Sequence, residues 1–150
     1  MENTLQNKKI FKTGSEEETF QLGKKLSADW SAPSRILLRG DLGAGKTVLA
    51  RGFAAGLGLT DLSLVHSPTF SLVNVYETPS GSLYHIDLYR LDTAREQYSI
   101  GLDEILGETG FVVIEWSEKL EIPVAGAVCI DIQSEEGDAR TFTLIEPEGD

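Results

Sequence analysis

The stretch GDLGAGKT satisfies the pattern G-x-x-x-x-G-K-[ST] at every fixed place, with Gly40, Gly45, Lys46 and Thr47. Each of these residue types has a reason to be there. Glycines let backbone N–H groups line a concave nest around phosphate oxygens. A helix opening near Gly45 turns the positive end of its dipole toward the same place. Lys46 supplies a flexible cation for β- and γ-phosphates, and the Thr47 hydroxyl is a hard donor suited to Mg²⁺. The phosphate-binding set is therefore Gly40, Asp41, Leu42, Gly43, Ala44, Gly45, Lys46, Thr47 and Val48. A guanine-reading N/T-K-x-D segment does not occur, so the expected nucleotide is ATP with Mg²⁺.

A magnesium-dependent site also needs carboxylates. Two apolar runs end in an acid, YHID at Asp87 and FVVIE at Glu115. Either acid could hold Mg²⁺, directly or through water, while the other orients an attacking water. Strand alternation puts Leu83, His85, Asp87 and Tyr89 on one face and Tyr84, Ile86 and Leu88 on the other. Ser67–Phe70, SPTF, places two hydroxyls around a proline-fixed bend, either a switch that senses the γ-phosphate or a plain turn. His85, on the Asp87 face, reads as either a structural hydrogen-bonding residue or a catalytic one, and His66 as a loop residue.

Positioning these groups takes a strand before the loop and a helix after it, and both are predicted. RILLR is a short buried strand ended by Gly40. From Gly45 the pattern turns helical, with Leu49, Phe53 and Leu57 on one stripe and Gly56 or Gly58 closing it. Ser15 to Trp30 reads as an earlier helix with a Ser15–Glu18 capping box and Leu22, Leu26 and Trp30 on one face, Trp30 being core. FSLVNVYE and SLYHIDLYRL flank TPSG as a hairpin, TAREQYSI and GLDEILGE are helical, and FVVIEW is a buried strand. GAVCIDIQ and RTFTLIEP form a last hairpin. Helices alternating with strands early and hairpins later predict a mixed sheet rather than a purely parallel one.

The 150 residues, without repeats or composition breaks, suit one domain over 1–150. No signal-like leader or apolar run near the ~18 residues of a membrane span occurs, so a cytoplasmic protein is expected. The single Cys129 reads as a buried, inert thiol. Thirteen basic against 24 acidic residues, a net charge of −11, oppose autonomous nucleic-acid binding and suit a basic protein partner.

Taken together and in order, GDLGAGKT, SPTF, YHIDLYR, GLDE and IEWSEKL resemble the TsaE (YjeE-type) family, small bacterial P-loop ATPases needed for threonylcarbamoyladenosine modification of tRNA. The resemblance implies an α/β fold, a P-loop NTPase-like three-layer sandwich with a mixed parallel/antiparallel sheet. It also implies ATP hydrolysis, weak alone, in company with TsaD and TsaB, with tRNA met only through that complex. Carried residue by residue, it makes Lys46, Asp87, Glu115 and Thr69 catalytic, Thr47 and Glu115 the magnesium ligands, and Trp116 the aromatic beside the nucleotide. Val48 stands where the family often has a second Thr, leaving only a backbone N–H for the α-phosphate. Two other activities use the same loop: phosphoryl transfer to a small-molecule hydroxyl, and nucleotide-gated assembly without hydrolysis.

Overall fold

The computed structural model describes residues 8–40, 45–68, 71–107 and 110–147. Among them a seven-stranded sheet carries helices on both faces. The elements are β1 (Lys8–Thr13), α1 (Glu16–Ala28), β2 (Ser34–Gly40), α2 (Gly45–Gly56), β3 (Val73–Thr78), β4 (Gly81–Asp87), α3 (Ala94–Ser99), α4 (Leu102–Leu106), β5 (Phe111–Glu115), β6 (Val128–Ser134) and β7 (Arg140–Ile145). Single 3₁₀ turns occur at Leu62–Leu64 and Ser117–Lys119. The strand order is β1-β7-β6-β2-β5-β4-β3. β2 runs parallel to β5 and β6, and β4 parallel to β5; the outer pairs β3–β4, β6–β7 and β1–β7 are antiparallel. The mixed sheet follows the expectation.

Alternation along the strands divides the core in two. Ile36, Leu38, Leu83, Phe111, Val113, Ile130 and Ile132 join Leu22 of α1 and Leu49, Phe53 and Ala54 of α2 in one cluster. Ile86, Val112 and Ile114 join Leu88, Leu91, Leu102 and Ile122 in the other. By the same period, His85 and Asp87 follow Leu83 and Glu115 follows Val113, so all three face α2.

Local signals set most boundaries. The Ser15 hydroxyl accepts the Glu18 N–H at 3.1 Å, as a cap should. The Glu18 carboxylate accepts the Gly14 N–H, not that of Ser15, so the reciprocal half of the predicted box is shifted by one residue. Helix α2 closes at Gly58, whose φ is 103°. Gly58 N–H donates to the Ala55 carbonyl and Leu59 N–H to the Ala54 carbonyl, each at 3.0 Å. That pair of bonds is a Schellman ending. Small residues bring α1 against α2: a Cβ on Gly52 would lie 2.3 Å from the Phe20 carbonyl oxygen. Across the same contact Ser27 donates to the Phe53 carbonyl at 2.8 Å.

Several expectations shift. Strand β1 was not predicted. Helix α1 ends at Ala28, and Trp30 lies beyond it, half-buried against Phe53 at 4.7 Å between ring centroids. The hairpin strands are trimmed to Val73 at one end and Asp87 at the other, because the chain turns at Leu72 and after Leu88. Cys129 is half-buried on β6, not fully buried as expected, since its strand neighbour Ile130 takes the core position.

Candidate functional site

Gly40, Asp87 and Glu115 close β2, β4 and β5 at the carboxyl ends of parallel strands. Open α/β sheets place ligands there. Gly40 has φ 113° and pairs with Ile132 of β6. A Cβ at Gly40 would lie 2.2 Å from the Ile132 carbonyl oxygen. Glycine is needed there by the sheet itself, before any ligand arrives. Asp41, Leu42, Gly43 and Ala44, the middle of the predicted phosphate loop, lie outside the described residues, as does Thr69.

The first turn of α2 carries Lys46 over the strand ends. Its Nζ lies 3.5 Å from Glu115 Oε1 and 4.5 Å from the centroid of the Trp116 ring. Lys46 is 7% exposed, Asp87 3%, Glu115 2% and His85 1%. Burial lowers the Lys46 pKa below the ordinary lysine range, and the Glu115 and Asp87 carboxylates oppose that shift without cancelling it. The ammonium has therefore already lost much of its water. The other Glu115 oxygen, Oε2, is held by Nε2 of His85. Asp87 lies beside Glu115 in the β4–β5 register, and one of its oxygens accepts the Tyr89 N–H at 2.8 Å.

Trp116 leaves β5 with φ 60°, in the left-handed region that bulky residues seldom enter. That turn lets one ring touch both core clusters. Tyr89 meets its ring at 4.9 Å, and Lys119 lies 5.2 Å from the Tyr89 ring centroid. Lys119 in turn donates to Asp92 at 2.6 Å. A strained backbone at the end of a buried strand is a recurrent mark of functional sites.

Pro68 is linked to Asp87 through Leu72. Leu72, with φ 71°, donates to the Pro68 carbonyl at 2.7 Å and accepts the Asp87 N–H at 3.0 Å. His66 lies in the preceding loop, its N–H and carbonyl both bonded to the Tyr76 hydroxyl at 3.1 Å. Thr47, half-buried, follows Lys46 in the first turn, and Val48 is buried.

The predicted residues Gly40, Lys46, Asp87, Glu115 and Trp116 thus converge. The donor set also fits the expected metal. A threonine hydroxyl and two neighbouring buried carboxylates are hard oxygen donors, as Mg²⁺ requires. No group of three or more His, Cys, Asp or Glu that could hold a metal occurs among the described residues. Mg²⁺ habitually takes one or two carboxylates and completes its shell with phosphate oxygens and water. His85 makes a buried hydrogen bond, as its reading as a structural residue expected; that its partner is Glu115 was not predicted.

Residues 13–142 match the family model described as TsaE, threonylcarbamoyl adenosine biosynthesis protein. The chain belongs to the TsaE family. Relatives named tRNA threonylcarbamoyladenosine biosynthesis protein TsaE include that of Bacillus subtilis, 41% identical over 74% of this chain and 68% of the relative. The Aquifex aeolicus relative is 42% identical over 70% and 74%, and the Nostoc relative 45% over 75% and 69%. The crystal structure of Bacillus subtilis YdiB superposes with a TM-score of 0.73 at 33% identity, covering 94% of this chain and 86% of that one. Sheet, helices and family place the chain in the P-loop-like α/β class expected from its motifs. No helix among the described residues is long and apolar enough to cross a membrane.

Proposed function

We propose that this chain binds ATP with Mg²⁺ at the Gly40–Thr47 loop and hydrolyses it in support of threonylcarbamoyladenosine formation on tRNA, acting with TsaD and TsaB. One observation carries the reading. Lys46, buried and short of water, sits at the start of a helix against Glu115 and Trp116, with Asp87 beside that glutamate. A buried cation at a helix N-terminus suits phosphate oxygens better than it suits the protein alone.

Lys46 binds the β- and γ-phosphates, and backbone N–H groups of the loop cradle the rest. Thr47 and Glu115 would hold Mg²⁺, which would supply positive charge to offset the negative charge of the transferring phosphoryl group. Asp87, tied through Leu72 to Pro68, orients the attacking water, and Thr69 supplies the hydroxyl that senses the γ-phosphate. Trp116 packs beside the nucleotide. Phosphoryl transfer gains a thousandfold or more from a cation supplied to the transition state. Arg90 is the one arginine attached to a site motif, so turnover by the isolated chain is slow and a partner completes the site. The net charge of −11 favours a basic partner surface and association that weakens as salt rises.

The test is product analysis of ATP turnover by the chain alone and with purified TsaD–TsaB, at low and high salt, followed by tRNA modification in the same mixture. ADP and free phosphate, released faster with the partners, support the reading. A phosphorylated acceptor, unchanged ATP, or full-speed hydrolysis indifferent to partners and salt would overturn it.

A further inference from the structure

His85 is the polar side chain at the site that the roles above leave unused. It stands inside β4 at 1% exposure, where a hydrocarbon would pack without any desolvation cost. Its Nε2 meets Glu115 Oε2, while its Nδ1 is buried with no hydrogen-bond partner among the described residues. An ionised carboxylate only accepts, so the hydrogen between the two belongs on Nε2.

The two oxygens of that carboxylate are divided between neighbours. Oε2 belongs to His85, and Oε1 faces Lys46 at 3.5 Å. The division is built into the sheet. β4 and β5 are parallel neighbours, with His85 opposite Val113 and Asp87 opposite Glu115, so the imidazole lies one diagonal step behind the carboxylate. We propose that His85 is a positioning residue that clamps one oxygen of Glu115 and thereby presents the other to Lys46 and to the magnesium–phosphate site. Without the clamp the glutamate is free to turn both oxygens toward the lysine, and it then competes with phosphate for the same cation. Groups that orient a metal-binding side chain from behind are worth about 10–100-fold in metal affinity. The inference rests on the reading of Glu115 as a magnesium ligand.

The experiment is a Mg²⁺ titration of binding of a non-hydrolysable ATP analogue to the full chain, in wild type, H85Q, H85N, H85L and E115A, with melting curves to establish folding. A glutamine amide nitrogen reaches the place of Nε2, whereas asparagine stops short at that of Nδ1. H85Q should need no more than about threefold extra Mg²⁺, and folded H85N and H85L about tenfold more or beyond. Imidazole ¹⁵N spectra of the nucleotide-free wild type should place the hydrogen on Nε2. A hydrogen on Nδ1 with none on Nε2, a folded H85N or H85L with the wild-type Mg²⁺ requirement, or H85Q as impaired as H85L would overturn the proposal. If the substitutions prevent folding, the wild-type spectrum decides. An E115A protein with unchanged Mg²⁺ requirement would bring down the site reading itself; an affected E115A beside an unaffected, folded H85L removes only the role of His85.

Discussion

Replacing Lys46 by methionine tests the site most directly, because it keeps the length of the stem and removes only the charge. Two terms set the size of the effect. Hydrogen bonds to charged groups contribute about 1.5–3 kcal/mol. In the free protein the ammonium is already desolvated, so ligand binding does not have to dehydrate it, and the loss should lie toward the upper end. Against this, the lysine must loosen its hold on Glu115 at 3.5 Å and on the Trp116 ring at 4.5 Å, and a cation–π contact is itself worth about 0.5–2 kcal/mol. The balance is a loss of about 2 kcal/mol, or roughly 30-fold in ATP affinity. The fold should persist, because His85 still holds Glu115 when the lysine is gone. Calorimetry with Mg²⁺ and a non-hydrolysable analogue measures the affinity, and a thermal melt establishes the folded state. A folded Lys46→Met protein that binds the analogue as tightly as wild type would refute the assignment of the loop.

Alkaline titration should separate affinity from stability. Burial depresses the Lys46 pKa, so the folded chain releases that proton below the ordinary value of about 10.4. As pH rises through the lowered pKa toward that value, the buried-charge penalty disappears and stability should rise, while nucleotide affinity falls; Lys46→Met should lack both trends, as calorimetry and melting at stepped pH would show. Asp87→Asn should leave nucleotide affinity within about threefold and abolish phosphate release, read by single-turnover assay; an unaltered turnover would remove Asp87 from the chemistry. Gly52→Ala should cost about 1–3 kcal/mol in urea unfolding, since its Cβ would collide with the Phe20 carbonyl at 2.3 Å. Unchanged unfolding would mean that α1 and α2 separate more readily than their packing indicates.

What the sequence determined by itself is local. The glycine pattern, the capping residues of α1 and the period-2 run YHID depend on neighbours a few residues away, and such interactions survive any arrangement of the rest. They located the strand and helix that flank the expected phosphate loop, and the common face of His85 and Asp87. Strand β1 escaped because Lys8, Lys9 and Lys12 are exposed, Ile10 is 61% exposed and only Thr13 is buried; an edge strand has no apolar alternation to display, and its pairing with β7 comes from the far end of the chain. Which sheet face meets α2, and so whether Asp87 and Glu115 see Lys46 or solvent, was decided by strand order, since β5 enters between β2 and β4. The clamp of His85 on Glu115 needs two strands 30 positions apart in sequence to be parallel neighbours in one register. Trp116 could reach Lys46 only because the backbone turns left-handed at the strand end. Each of these is a relation between distant segments, and it exists only once the whole sheet has closed around its core.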